Sequence, residues 1–181
     1  LATLDERVSA DPAVNNFSQI AETEFYKKAE RKGIDYIDTR LHRAMSLRRF
    51  AGKFERGLRA WRKKHPRGLV LCTQGIGEDG HTAGILPYPE NPKMFQRLFE
   101  GPNQWVVGYN AVKGKSEYTK RVTVTLPFLR SQVDCGVAYA TGPRKRRVVR
   151  RVAAKRGSLP KTPARILREM KSVTLFTDQA A

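Results

Sequence analysis

Leu69-Val70-Leu71-Cys72-Thr73-Gln74-Gly75-Ile76-Gly77-Glu78-Asp79-Gly80-His81-Thr82-Ala83 sets an apolar run directly against a glycine-rich turn. Residues 69–72 read as a short buried strand, and 75–80 as the loop that leaves it. Upstream, Leu47, Phe50, Ala51, Phe54, Leu58 and Trp61 recur at intervals of three and four. That spacing predicts an amphipathic helix over 45–64, ended by His65-Pro66-Arg67-Gly68. Phe17, Ile20, Ala21, Phe25 and Ala29 predict another over 17–32. Downstream, strands are expected at 105–109, 121–126, 133–140 and 173–177, with helical segments at 92–99, 144–155 and 163–170. Strands alternating with helices mean an α/β fold, a three-layer αβα sandwich with a mainly parallel, Rossmann-like sheet. No repeat or low-complexity linker divides the chain, so 1–181 is expected to form a single domain. Ligands of such sheets bind at the carboxyl ends of the strands, which directs attention to the loop after residue 73.

Composition narrows the function classes. With 181 residues, 40% of them apolar, the chain can bury a core without a disulfide or metal staple. Its 35 Lys and Arg against 17 Asp and Glu leave a net charge of +18, which favours anionic partners over cationic ones. No apolar run approaches the roughly 18 residues of a membrane span, so no membrane partner is expected. The opening Leu1-Ala2-Thr3-Leu4-Asp5-Glu6-Arg7 lacks the features of a signal peptide. Cys72 and Cys135 both lie in apolar stretches and read as free thiols of a reducing, cytoplasmic compartment. The chain begins without an initiator Met, so a segment upstream is expected.

The loop formally contains G-x-G-x-x-G after a strand, the dinucleotide fingerprint. Glu78 and Asp79 would then stand where a pyrophosphate should lie, and the next strand ends in Asn110 rather than an acid. A different chemistry fits. Glycines let backbone N–H groups converge on an anion, and a helix expected to start after the loop would add its positive end. His81 stands beside those donors with Asp79 two residues away to orient its imidazole. A histidine suits proton removal from water at neutral pH, and attack on an ester-like carbonyl needs oxyanion donors nearby. The plainer reading of His81 is a loop hydrogen bond. His42 and His65 receive no role.

The run Gly75–Ala83 followed by Pro87 resembles the G-x-G-x-D-G-H-T-A-S-L-F-P signature of the 6-phosphogluconolactonases, whose superfamily includes the glucosamine-6-phosphate deaminases. Asp5-Glu6-Arg7-Val8 with Asn15-Asn16-Phe17 is similar to that family's D-E-R-x-V-P … S-N-Y. Arg121-Val122-Thr123-Val124-Thr125-Leu126-Pro127 is similar to its R-I-T-L-T-x-P strand. Thr141-Gly142-Pro143-Arg144-Lys145 resembles its G-x-x-K turn, and Leu159-Pro160 with 173–181 its closing blocks. The resemblance implies a hydrolase of 6-phosphogluconolactone in the pentose phosphate pathway, with no metal and no cofactor. His81 would be the general base and Asp79 its neighbour, with Gly77 and Gly80 in the substrate loop. Arg7 would line the site, while Arg121 and Lys145 would hold the phosphate, a fork and a point charge respectively. Departures are Gly84, Ile85 and Leu86 in the signature, Ser9 and Asn15 in the first block, and 113–116 in place of a proline-rich run. The family's Ser-Gly-Gly-x-Thr-Pro phosphate loop has no counterpart here. Deaminases carry a Glu five residues after the His, where this chain has Leu86, so lactonase is favoured over deaminase. A degenerate homologue that binds a sugar phosphate without turning it over is a further reading.

Charge gives a reading of another class. Residues 40–67 hold eleven Lys and Arg and one acid, Glu55, and 144–156 hold eight and none. Val148, Val149, Val152 and Ala153 would face the sheet and leave an arginine-coated helix outside. Such a helix, 144–156, could bind nucleic-acid phosphates without sequence preference, or could simply be a solvated face.

Overall fold

The computed structural model describes residues 1–9, 11–40, 45–112 and 117–179; His42, the stretch 113–116 and the closing 180–181 lie outside the described residues. In chain order the elements are β1 (Asp5–Arg7), α1 (Asn16–Ala21), α2 (Glu24–Arg31), α3 (Leu47–Lys64), β2 (Leu71–Gly75), α4 (Pro92–Phe99), β3 (Val106–Asn110), β4 (Lys120–Val124), α5 (Leu126–Ser131), β5 (Cys135–Ala140), α6 (Arg146–Ala153) and β6 (Val173–Thr177). Short 3₁₀ turns cover Pro12–Val14, Pro143–Lys145 and Pro163–Arg168. They fall into two compact units, Leu1–Pro66 with Val106–Thr123, and Arg67–Trp105 with Val124–Ala181. Neither unit is a continuous stretch of chain.

The first unit holds a sheet of order β1-β4-β3, in which β1 pairs antiparallel with β4 and Arg7 stands opposite Arg121. Glu6 is fully buried there. Its carboxylate accepts the N–H groups of Arg7, Asn16 and Phe17 at 2.6–2.9 Å and the Thr39 hydroxyl at 3.0 Å, tying β1 to the start of α1. Burial pushes this carboxyl above its ordinary range, and the four hydrogen bonds oppose that rise. The periodic stretch of the sequence is α3, capped by Ser46, with Phe50 and Phe54 each 1% exposed. The helix expected over 17–32 is two helices. The Thr23 hydroxyl accepts the Tyr26 N–H at 3.2 Å and starts α2 afresh, the signature of an N-cap.

In the second unit β2, β5 and β6 form a parallel sheet of order β2-β5-β6, with Leu71 opposite Cys135 and Tyr139 opposite Phe176. One face carries Cys72, Gln74, Gly136 and Ala138 into a core with Ile85, Phe95, Phe99, Leu129, Val149 and Ile166. The other face is open. Leu71 is 73% exposed, Tyr139 62% and Phe176 54%, and Leu69, just before β2, is 75% exposed. The expectation of a buried strand at 69–72 is therefore corrected: β2 is an edge strand that buries alternate side chains only. The segments 92–99 and 173–177 are elements with those bounds. The segment 144–155 is a 3₁₀ turn followed by α6, and of 163–170 only Pro163–Arg168 is helical, as a 3₁₀ helix. Val148, Val149 and Val152 are buried as expected, whereas Ala153 is exposed.

Candidate active site

Gly75 ends β2, and the following residues fold back on themselves. The Gly77 N–H donates to the His81 carbonyl at 2.8 Å and the Gly80 N–H to the Gly77 carbonyl at 2.9 Å. Three of the donors expected to converge on an anion, those of Gly77, Gly80 and His81, are in this way spent inside the loop, the His81 N–H on Asp79 Oδ1 at 3.0 Å. The glycines serve a steric need instead. A Cβ on Gly77 would stand 2.1 Å from His81 Nδ1 and 2.6 Å from Asp79 Oδ1, so only glycine admits the imidazole there. Gly80 has φ +103°, and a Cβ on it would press on Thr162 at 3.1 Å.

The loop fixes one pair. His81 Nδ1 lies 2.6 Å from Asp79 Oδ1, and both side chains are partly exposed. Burial pushes the Asp79 carboxyl up, but the hydrogen bonds from the His81 ring and backbone outweigh it and hold it below the usual carboxylate range. An ionised Asp79 accepts from Nδ1–H, which leaves the lone pair of the neutral ring on Nε2.

The helix expected directly after the loop is absent. Residues 82–85 make a tight turn closed by the Ile85 N–H on the Thr82 carbonyl at 2.8 Å, with φ +47° at Ala83 and +72° at Gly84. The next helix is α4 at Pro92, so no helix N-terminus follows His81 at this point. The Thr82 hydroxyl, fully buried, bonds Gln74 Oε1 at 2.9 Å and the Gly75 carbonyl at 2.8 Å, anchoring the turn to β2.

Lys145 reaches the same loop. Its ammonium donates to the Ile76 carbonyl at 2.6 Å, from the 3₁₀ turn after β5. That turn opens at Gly142, φ +94°, whose N–H donates to both carboxylate oxygens of Asp178 at 3.0 Å. Arg151 Nη2 donates to the Glu78 carbonyl at 2.9 Å, and Arg144 stands 3.8 Å from the Glu78 carboxylate. Arg165 in turn donates to the Arg151 and Ala154 carbonyls at 2.6 and 2.8 Å, closing the C-terminal end of α6. Asp79, His81, Gly77, Gly80 and Lys145 are thus gathered in the second unit. Arg7 and Arg121 belong to the first, where Arg121 is 7% exposed and donates to Asp5 at 3.1 Å, and Arg7 lies 5.6 Å over the Tyr118 ring. Among the described residues no group of three or more His, Cys, Asp and Glu side chains is placed to hold a metal ion. None of their helices is long and apolar enough to cross a membrane.

A family model for glucosamine-6-phosphate isomerases/6-phosphogluconolactonase matches residues 1–176. The chain belongs to that family. Among solved structures, the 6-phosphogluconolactonase from Thermotoga maritima is similar at 22% identity and a TM-score of 0.71, over 99% of this chain and 72% of that one. That from Trypanosoma brucei is 21% identical with a TM-score of 0.70, covering 97% and 70%. The Plasmodium vivax 6-phosphogluconolactonase is 15% identical with a TM-score of 0.71, over 99% and 68%. Comparison with curated protein sequences gives no match. At these identities the likeness establishes the α/β, Rossmann-like fold. The contacts of Asp178 and Arg151 around these turns had no local signal in the sequence: Asp178 and Gly142 stand 36 residues apart, and Arg151 and Glu78 stand 73 apart.

Proposed function

We propose that the chain hydrolyses 6-phospho-D-glucono-1,5-lactone to 6-phospho-D-gluconate, with His81 activating the water. The contact that carries this reading is His81 Nδ1 to Asp79 Oδ1 at 2.6 Å, in a loop whose Gly77 leaves room for no side chain but the imidazole. Water attacks the lactone carbonyl as its proton passes to His81 Nε2. The tetrahedral adduct collapses, the ring C–O bond breaks, and the leaving oxygen takes the proton back from Nε2. Asp79 holds the tautomer and steadies the imidazolium between the two transfers, a role like that of a triad carboxylate. Lys145, with one N–H on Ile76, has two more for a phosphate oxygen. Arg7 and Arg121 are assigned to the substrate by motif position. Leu86, 2% exposed, supplies no carboxylate for opening an amino-sugar ring, which favours lactone over amino sugar. A cytoplasmic setting and a single functional domain over 1–181 belong to the same proposal.

The test is to generate the lactone in situ and follow its loss with this chain and with His81→Ala. Loss faster than the spontaneous rate with the first and equal to it with the second supports the reading. Equal rates with both folded proteins would reject it.

A further inference from the structure

We infer that the outer face of α3 is a docking surface for the phosphate backbone of duplex DNA. Arg48, Arg49, Lys53, Arg56 and Lys63 are all exposed along this helix, with Met45, Gly52 and the first four cations lining a groove of about 400 Å³. Lys53 faces Asp38, whose carboxylate is held by Arg40 at 2.7 Å, and Arg48, Arg49 and Arg56 make no ion pair among the described residues. The acid of α3, Glu55, is taken by Arg59 at 2.8 Å and by the Val106 N–H at 3.0 Å. From Arg48 to Lys63 the cations extend about 22 Å at 1.5 Å per residue, and around the helix they cover an arc of about 140°.

The shape of that charge selects the partner. A bilayer would need an apolar side to insert, but the apolar side of α3 is committed to its own unit through Phe50 and Phe54. Single strands bind on aromatic platforms, and no aromatic lies on the cationic arc; Trp61 stands on the opposite side by helical position. Cations spread over a wide arc suit a channel with phosphates on both walls. The B-form major groove, roughly 12 Å wide, admits an α-helix of 10–12 Å, while the A-form RNA groove is too narrow. The other basic helix, α6, is less available, since Arg151 there donates to the Glu78 carbonyl and Arg144, in the turn before it, stands 3.8 Å from the Glu78 carboxylate, leaving Arg146, Arg147 and Arg150 outward.

The experiment is fluorescence anisotropy of a labelled 20-base-pair DNA duplex titrated with the full chain across a range of salt. Replacing Arg48, Arg49, Lys53 and Arg56 together by Gln should weaken binding by at least about tenfold and flatten the log–log salt slope by about 3.6, roughly 0.9 per charge removed. Arg146→Gln with Arg147→Gln and Arg150→Gln should cost less than half of that per charge removed. Equal loss per charge in the two variants, or no binding at low salt, overturns the proposal. So does tighter binding to an RNA duplex of the same sequence or to phosphatidylserine vesicles. Should the four-residue variant fail to fold by circular dichroism, lysine acetylation of the unaltered protein decides. DNA should then protect Lys53 and Lys63 but not Lys27 or Lys155, and uniform protection overturns the proposal.

Discussion

Gly77 is the position at which the smallest change should do the most. A methyl group there would meet the His81 ring at 2.1 Å, well inside contact distance, so Gly77→Ala must displace the imidazole or open the loop. Lactone hydrolysis should fall about a hundredfold or more while the circular dichroism spectrum is kept, because a misplacement of an ångström costs about that much. Asp79→Asn should lower kcat by at least about a hundredfold, since an amide no longer fixes the tautomer of His81. It should also change the acid stability. The folded Asp79 carboxyl lies below its ordinary value of 3.8, so its bond to His81 steadies the fold above that value and is lost as pH falls through the lowered one. Thermal melts should separate the two proteins at pH 7 and bring them together in strong acid. The Asp79–His81 pair was legible in the sequence because its partners are two residues apart and the loop holds both. The spending of the Gly77 and Gly80 N–H groups within that loop was not, because composition cannot say which way an amide points.

Elements show the same division between near and far. The spacing of Phe50, Phe54 and their neighbours announced α3, since a helix is a local object with a local period. The turn at Ala83 and Gly84, both at positive φ, replaced an expected helix, and alanine gives no warning of that conformation. The edge position of β2 escaped notice for another reason: whether an apolar run has one covered face or two is decided by strand order. Helix α6 depends on a residue well outside it. Arg165, 8% exposed, covers the carbonyls of Arg151 and Ala154, and Ala154 follows the last residue of α6. Arg165→Met should leave those acceptors without a partner and lower stability by about 2–4 kcal/mol, read from urea unfolding. The same variant should loosen the Arg151 contact to Glu78, so the KM for lactone should rise even in the molecules that stay folded.

For the whole molecule, the alternation of strand and helix signals disclosed the fold class, and the five motif blocks resemble the family whose model matches residues 1–176. It did not disclose that the described residues make two units, each assembled from separated segments, because that depends on which strands find each other. Nor did it connect the net charge of +18 with the bare outer face of the β2-β5-β6 sheet. The connection is colloidal. Leu69, Leu71, Tyr139 and Phe176 give any two copies a reason to adhere, and like charge at long range keeps them from meeting. Salt shortens that range to about 8 Å at 0.15 M. Light scattering from a concentrated solution should therefore rise with added sodium chloride, and a Leu69→Ser, Leu71→Ser pair should suppress the rise. The arginines of this chain, whatever else they hold, also act as its dispersant.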